Sequence, residues 1–263
     1  MFLFGPILIF LLLVAPGVRL LLLAHRSRQA PEFWCGLYFV GAAIGLALRV
    51  LGSSLFLTAP ELANTINTIG HYTFASGTIA MTVFTLRVFR SSSTLARIFA
   101  GLTIGTILFT TAHTLLAGYA SIENSYSMVA TNFARLIPTS WAFYESYRYW
   151  RSMRRREGLG LADPILTNRF LLWSIWTGAV TLLPMISLAI RTIGIVTLGN
   201  DQFAGEATAD LMPMVLQLIR VLFVFIAPVA AVALSLSFFP PTAYLDHVAD
   251  RARAEKPQID SSN

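Results

Sequence analysis

YESYRYWRSMRRREGLGLADPILTNRF, residues Tyr144–Phe170, carries the densest block of positive charge in a chain that is otherwise mostly apolar. The charge comes from six arginines: Arg148, Arg151, Arg154, Arg155, Arg156 and Arg169. Guanidinium groups are strongly disfavoured in hydrocarbon, and loops rich in Arg are typical of the cytoplasmic side of a membrane. The stretch therefore predicts a cytoplasmic loop between two membrane-spanning segments.

The composition of the chain supports this interpretation. Hydrophobic residues make up 56% of the sequence and charged residues 12%, with a mean hydropathy of +0.66, whereas a soluble domain carries about 25% charged residues. We therefore expect a multi-pass protein of a bacterial-type inner membrane or a plasma membrane. The net charge of +6 arises mostly in short loops, so it indicates topology and not nucleic-acid binding.

Seven segments are long and apolar enough for the roughly 20 residues that a membrane-spanning helix needs. They are Phe2–Leu23, Phe33–Leu55, Leu62–Leu86, Leu95–Gly118, Ser127–Met153, Ile165–Ile193 and Met212–Phe239. The first is interpreted as a retained span, because no basic region precedes it and no small-residue cleavage site follows it. The sequence thus predicts an all-α bundle of seven transmembrane helices over residues 1–240.

Residues 241–263 form a short cytoplasmic tail in this interpretation. Its apolar residues recur at helical spacing on one face, which predicts either a short helix on the inner membrane surface or a frayed, solvated tail.

Charge alternates from one loop to the next. The odd loops are basic and the even loops acidic, with Arg26 and Arg28, then Glu61, then Arg87, Arg90 and Arg97, then Glu123, then the arginine block, then Asp201, Glu206 and Asp210. Because basic loops remain on the cytoplasmic side, this pattern places the N-terminus outside and the C-terminus inside.

An internal similarity relates the second and sixth spans. Leu46–Gly52 reads LALRVLG and Leu188–Gly194 reads LAIRTIG. This is the pattern expected if helices 1–3 and 5–7 are parallel repeats, although two short apolar stretches can also match by chance.

Polar residues inside the spans predict a binding site. Ionisable residues are costly in hydrocarbon and usually functional there, and the predicted ligand-binding residues are Arg49, Asn64, Asn67, His71, His113, Arg135, Arg191, Gln217 and Arg220. They lie on polar stripes towards the outer half of the membrane, so we expect an outward-facing cavity for a polar or anionic molecule. The alternative is that Arg49 and Arg191 reach the outer headgroups while Arg135 and Arg220 pair with carboxylates or backbone carbonyls.

Glu145 is the carboxylate placed well inside a span on the inner half. It is a candidate for a proton-coupling or gating residue. The alternative is an ion pair with Arg148, one helical turn away.

Several chemistries are disfavoured by the sequence. Retinal is excluded, because its Schiff base needs a lysine within a span and the single lysine, Lys256, lies in the tail. With Cys35 as the sole cysteine, neither an intramolecular disulfide nor a Cys-based metal site can form, and no catalytic motif points to an enzyme. No cofactor is predicted; a haem between His71 and His113 remains as an alternative.

The function predicted from these features is that of an extracytoplasmic ligand sensor, whose basic inner loops engage a cytoplasmic signalling partner. Two alternatives stay open. One is a small transporter of a polar or anionic solute. The other is an accessory or structural subunit of a membrane complex, with the haem alternative belonging to this hypothesis. In every case we expect contact with the lipid bilayer and no binding of a nucleic acid.

Overall fold

The computed structural model of the chain describes residues 4–117, 126–198 and 211–254, although not every side chain within these ranges. The described chain is helical and contains no strand. Its helices are α1 (Phe4–Ser27), α2 (Ala30–Leu55), α3 (Pro60–Phe89), α4 (Thr94–Ala117), α5 (Tyr126–Glu157), α6 (Pro164–Leu198), α7 (Leu211–Phe238) and α8 (Thr242–Ala254). Each of the seven predicted spans overlaps one helix from α1 to α7.

Four stretches of these helices are long and apolar enough on their own to cross a membrane. They lie in α1, α2, α4 and α6, and a fifth crossing results if Pro228–Phe238 and Thr242–Val248 are counted as one bent span. The helices α3 and α5 fall short because α3 carries a polar stripe and α5 includes Glu145 and most of the arginine block. The described residues therefore indicate an all-helical, multi-pass membrane protein with four or five candidate spans.

The long helices form a closed ring in the order α1, α2, α3, α5, α6, α7, with α4 packed outside it against α3 and α5. Among the described residues, helices α1–α3 and α5–α7 occupy equivalent positions in the ring. If each helix of the first group trades places with its counterpart in the second, every pair of neighbouring helices stays the same. The centre of the ring is aromatic. Phe39 of α2 is fully buried and lies 4.9 Å, between ring centroids, from Trp176 of α6.

Close contact between α2 and α3 depends on glycine. A Cβ atom added to Gly45 would lie 2.7 Å from the backbone nitrogen of Phe74, and one added to Gly41 would lie 2.9 Å from the Cα atom of Gly77. Small residues let membrane helices approach until their backbones touch. The two helices that carry four of the nine predicted ligand-binding residues are thereby held in a fixed register.

Short connections make consecutive helices antiparallel, so α1, α3, α5 and α7 end where α2, α4 and α6 begin. We call the end with these junctions the basic end, since it contains the arginine block. After Pro240 and Pro241 the chain bends by 89° into α8, because proline cannot continue the hydrogen bonding of α7. The predicted tail helix is present as far as Ala254, and the side-chain amide of Asn168 in α6 donates a hydrogen bond to the hydroxyl of Tyr244.

Candidate functional site

The best-defined polar contact in the bundle joins α3 and α5. Both residues are buried, with an exposed fraction of 6% for Arg135 and 1% for His71. One guanidinium nitrogen of Arg135, Nη1, lies 3.1 Å from Nδ1 of His71, and the other, Nη2, donates to the backbone carbonyl of His71 over 3.0 Å. The guanidinium carbon also lies 5.6 Å from the centroid of the Phe74 ring. Two residues that the sequence predicted for one binding site are thus in direct contact.

This contact defines the state of the imidazole. A guanidinium group has only donors, so Nδ1 of His71 must accept and the ring proton of a neutral imidazole must be on Nε2. Arg135 therefore recognises a specific tautomer of His71 as well as its carbonyl. The pair forms a two-point connection between helices rather than a loose surface contact.

The polar stripe of α3 extends from this pair towards the end of the bundle opposite the basic end. Asn67 is buried and packs so closely on Gly52 of α2 that an added Cβ there would lie 2.4 Å from its Oδ1 atom. One turn further, Oδ1 of Asn64 is buried and has no hydrogen-bond partner among the described residues. Since a buried acceptor without a partner costs free energy, Asn64 is a destabilising position on this stripe.

The remaining predicted ligand-binding residues are distributed differently. Arg49 is half-buried on α2, and its Cγ atom lies 3.1 Å from the position of a Cβ added to Gly70, next to His71. His113 on α4 and Gln217 on α7 are exposed. The side chains of Arg191 and Arg220 lie outside the described part of the structure. The described site therefore consists of Arg135 and the α3 stripe, with Arg49 beside them.

The haem alternative requires His71 and His113 to face one another. His71 is enclosed against Arg135 of α5, whereas His113 lies on the exposed surface of α4. No described contact connects the two imidazoles, so the arrangement gives this alternative no support.

Glu145 makes a different ion pair from the one that the sequence suggested. Its Oε1 atom accepts a 2.7 Å hydrogen bond from Nε of Arg90, and the indole nitrogen of Trp141 lies 3.3 Å from the same atom. Arg148, the partner expected from helical spacing, is exposed. The Glu145 side chain is 6% exposed and that of Arg90 32%, and the hydrogen bond raises the pKa of Arg90 above its usual value. This ion pair is a second connection between α5 and the C-terminal end of α3. It is partly shielded from water.

The structure also contains a cavity of about 360 Å³ at the basic end, between α1, α2, α3, α6 and α7. Its polar lining residues include Arg19 and Arg169, neither of which was predicted as a site residue. Arg19 could have been found by the rule that selected Arg49, because it is an ionisable residue inside an apolar segment. Arg169 was assigned only to the loop charge, since nothing in the sequence relates it to α1.

No family model, no curated protein and no solved structure matches the chain, so its function is argued from geometry and chemistry alone.

Proposed function

We propose that this chain is a membrane protein of seven transmembrane helices that binds a polar or anionic solute on its outer side and transmits the binding to its basic, cytoplasmic end. Support for the helix number comes from α1 to α7, which each contain at least 24 residues. Support for the orientation comes from the alternation of basic and acidic loops. In this topology α8 lies along the inner membrane surface.

The observation that carries the proposal is the buried contact between Arg135 and His71. A guanidinium group removed from water is stabilised by the groups that it contacts, and here Nδ1 and the backbone carbonyl of His71 in α3 both accept hydrogen bonds from it. A carboxylate or phosphate binds a guanidinium group through two parallel hydrogen bonds. An anionic solute that competes with His71 for Arg135 would therefore change how α3 and α5 are held together.

The ion pair between Glu145 and Arg90 relates this change in α3 and α5 to the basic end of the bundle. Arg135 and Glu145 are both on α5, and their separation of 145 − 135 = 10 residues corresponds to about 15 Å along the helix axis. Both bind to α3 or to its C-terminal cap, Arg90. A shift of α5 at the outer connection thus acts on the inner one, next to the arginine block. A sensor requires two such arrangements of the helices, with the ligand favouring one of them.

The first experiment measures solute-dependent stability of the purified full chain. Thermal unfolding is recorded with citrate, inorganic phosphate and glutamate as probes, for the wild type, Arg135→Gln and the exposed control Arg155→Gln. We expect at least one probe to raise the midpoint in the wild type and in Arg155→Gln but not in Arg135→Gln. Equal stabilisation of all three proteins would refute a site at Arg135.

A transporter is the second candidate, and the cavity at the basic end favours it. An alternating-access protein has a cavity open to one side, and the exchangeable order of α1–α3 and α5–α7 is the arrangement expected of a repeat-based transporter. The test is uptake of the same probes into liposomes, with Glu145→Gln compared with Arg148→Gln. Flux that only Glu145→Gln abolishes would favour transport, whereas ligand-dependent stabilisation without flux would favour sensing.

A further inference from the structure

The cavity at the basic end combines two surfaces of opposite chemistry. Arg19 of α1 and Arg169 of α6 line one part of it. The other part is formed by aromatic rings, namely those of Phe84, Phe89, Phe170, Trp173 and Phe238. Its volume of about 360 Å³ lies at the lower end of the range of about 300–1,000 Å³ that is usual for small-molecule pockets, which is suitable for a headgroup and the first carbons of an attached chain.

The cationic part is held by the fold. Arg19 donates a hydrogen bond from Nη1 to the backbone carbonyl of Phe238, and its guanidinium carbon lies 4.6 Å from the centroid of the Phe239 ring. A guanidinium group carries five donors, so this bond leaves several for another acceptor. Arg19 and Arg169 are both exposed, and Arg169 adds a second positive charge to the lining.

One carboxylate, that of Glu32, also lines the cavity. The hydroxyl of Ser27 donates a hydrogen bond to its Oε2 atom, which gives the carboxylate a partner at the junction of α1 and α2. Two guanidinium groups and one carboxylate leave the lining with a net positive charge. The lining thus favours an anion over a cation or a zwitterion.

Trp173 belongs to the aromatic part. It is 8% exposed, and its indole nitrogen is enclosed by the protein, with no hydrogen-bond partner among the described residues. The ring therefore offers the cavity an apolar face. Trp173 follows Arg169 by four residues, so both lie on the same face of α6.

We propose that this cavity binds the headgroup of an anionic phospholipid from the membrane leaflet at the basic end. The phosphate would accept hydrogen bonds from Arg19 and Arg169, while the first methylene groups of the acyl chains contact the aromatic rings. A free inorganic anion would leave these rings uncovered, and a zwitterionic headgroup would bring an ammonium group close to two guanidinium groups. The site is separate from the one at Arg135 and does not depend on it.

Thermal unfolding of the detergent-purified full chain tests the occupant, because a ligand that binds the folded state protects it against unfolding. The unfolding midpoint is recorded after addition of dihexanoyl phosphatidylglycerol, dihexanoyl phosphatidylcholine or inorganic phosphate. We expect phosphatidylglycerol to raise the midpoint and the other two to have little effect.

Variants connect the protection to the charged groups. Arg169→Gln and Arg19→Gln should each raise the phosphatidylglycerol concentration needed for half-protection about tenfold, the effect of losing a charged hydrogen bond. Arg155→Gln removes the same charge from an exposed site outside the cavity and should change nothing. If Arg19→Gln does not fold, Arg169→Gln, at an exposed position, carries the test alone.

Three results would overturn the proposal. Equal protection by phosphatidylcholine would mean that any acyl chain fills the cavity. Protection by inorganic phosphate alone would mean that the site takes a free anion. Unchanged protection in Arg169→Gln would mean that the guanidinium groups do not recognise the headgroup.

Discussion

Replacing Gly45 by alanine tests whether α2 and α3 touch through their backbones. The new Cβ atom would lie 2.7 Å from the backbone nitrogen of Phe74 and 2.9 Å from the carbonyl oxygen of Gly70. Ordinary contacts of this kind begin at 3.4 Å, so the helices would have to separate locally by 3.4 − 2.7 = 0.7 Å. Neither neighbour is the flexible end of a side chain, so the strain cannot be relieved by a rotamer change.

The size of the effect follows from two opposing terms. Alanine is favoured over glycine within a helix by about 1 kcal/mol, whereas overpacking costs typically about 1–3 kcal/mol. A gap of 0.5–1 Å also forfeits roughly a quarter to a half of each dispersion contact along the interface. We therefore expect Gly45→Ala to lower the free energy of unfolding by about 1–2 kcal/mol.

The chain contains its own control. Gly41 and Gly45 lie within GAAIG of α2, and Gly101 and Gly105 within GLTIG of α4, so both pairs share the G-x-x-x-G spacing. A Cβ atom added to Gly105 would meet nothing within 4 Å. Gly105→Ala should therefore keep only the helix-propensity gain and leave stability equal or slightly higher.

Thermal unfolding in detergent, monitored by circular dichroism, compares the two variants with the wild type. The expected order of midpoints is Gly105→Ala at or above wild type and Gly45→Ala several degrees below it. If Gly45→Ala unfolds at the wild-type temperature, or if both variants are equally destabilised, the backbone contact is not the reason why glycine is present at this position.

Three further changes probe other parts of the fold. Phe39→Ala should lower the free energy of unfolding by about 3–5 kcal/mol, because it opens a cavity against Trp176 at the centre of the ring. The yield of folded protein measures this loss, and a normal yield would contradict central packing of Phe39. Tyr244→Phe removes the acceptor for Asn168, so α8 should be cleaved faster in limited proteolysis while the bundle stays intact. Gly160→Ala should cost about 1 kcal/mol, since Gly160 has a φ of +73° and open space around it, and an unchanged unfolding midpoint would argue against that backbone conformation.

The positions of the helices could be predicted because the hydrocarbon core imposes a length and a polarity on each crossing. The polar stripe of α3 was also visible, since residues spaced at three and four positions share a helix face. That Arg135 would contact His71 in particular was not visible. It depends on the register between α3 and α5, which packing sets.

The partner of Glu145 shows most clearly where sequence reasoning fails. Helical spacing singled out Arg148, but spacing describes only neighbours on the same helix. Arg90 lies 55 residues away in sequence and reaches Glu145 because α3 ends beside α5. The same limitation concealed the cavity, whose two arginines come from α1 and α6.

The position of α4 outside the ring has a consequence for how the chain is threaded. A unit of three antiparallel helices starts and finishes on opposite sides of the bilayer, so a second unit joined to it directly would enter upside down. One additional crossing restores the direction, and in the proposed seven-helix topology α4 supplies it while packing against α3 and α5. Its sequence is constrained on two faces, because Ile107 packs against Ala75 of α3 and Ala134 of α5 while the opposite face is exposed. A foreign helix that replaced α4 would therefore have to keep the buried face, and in the proposed topology deleting α4 would invert everything that follows.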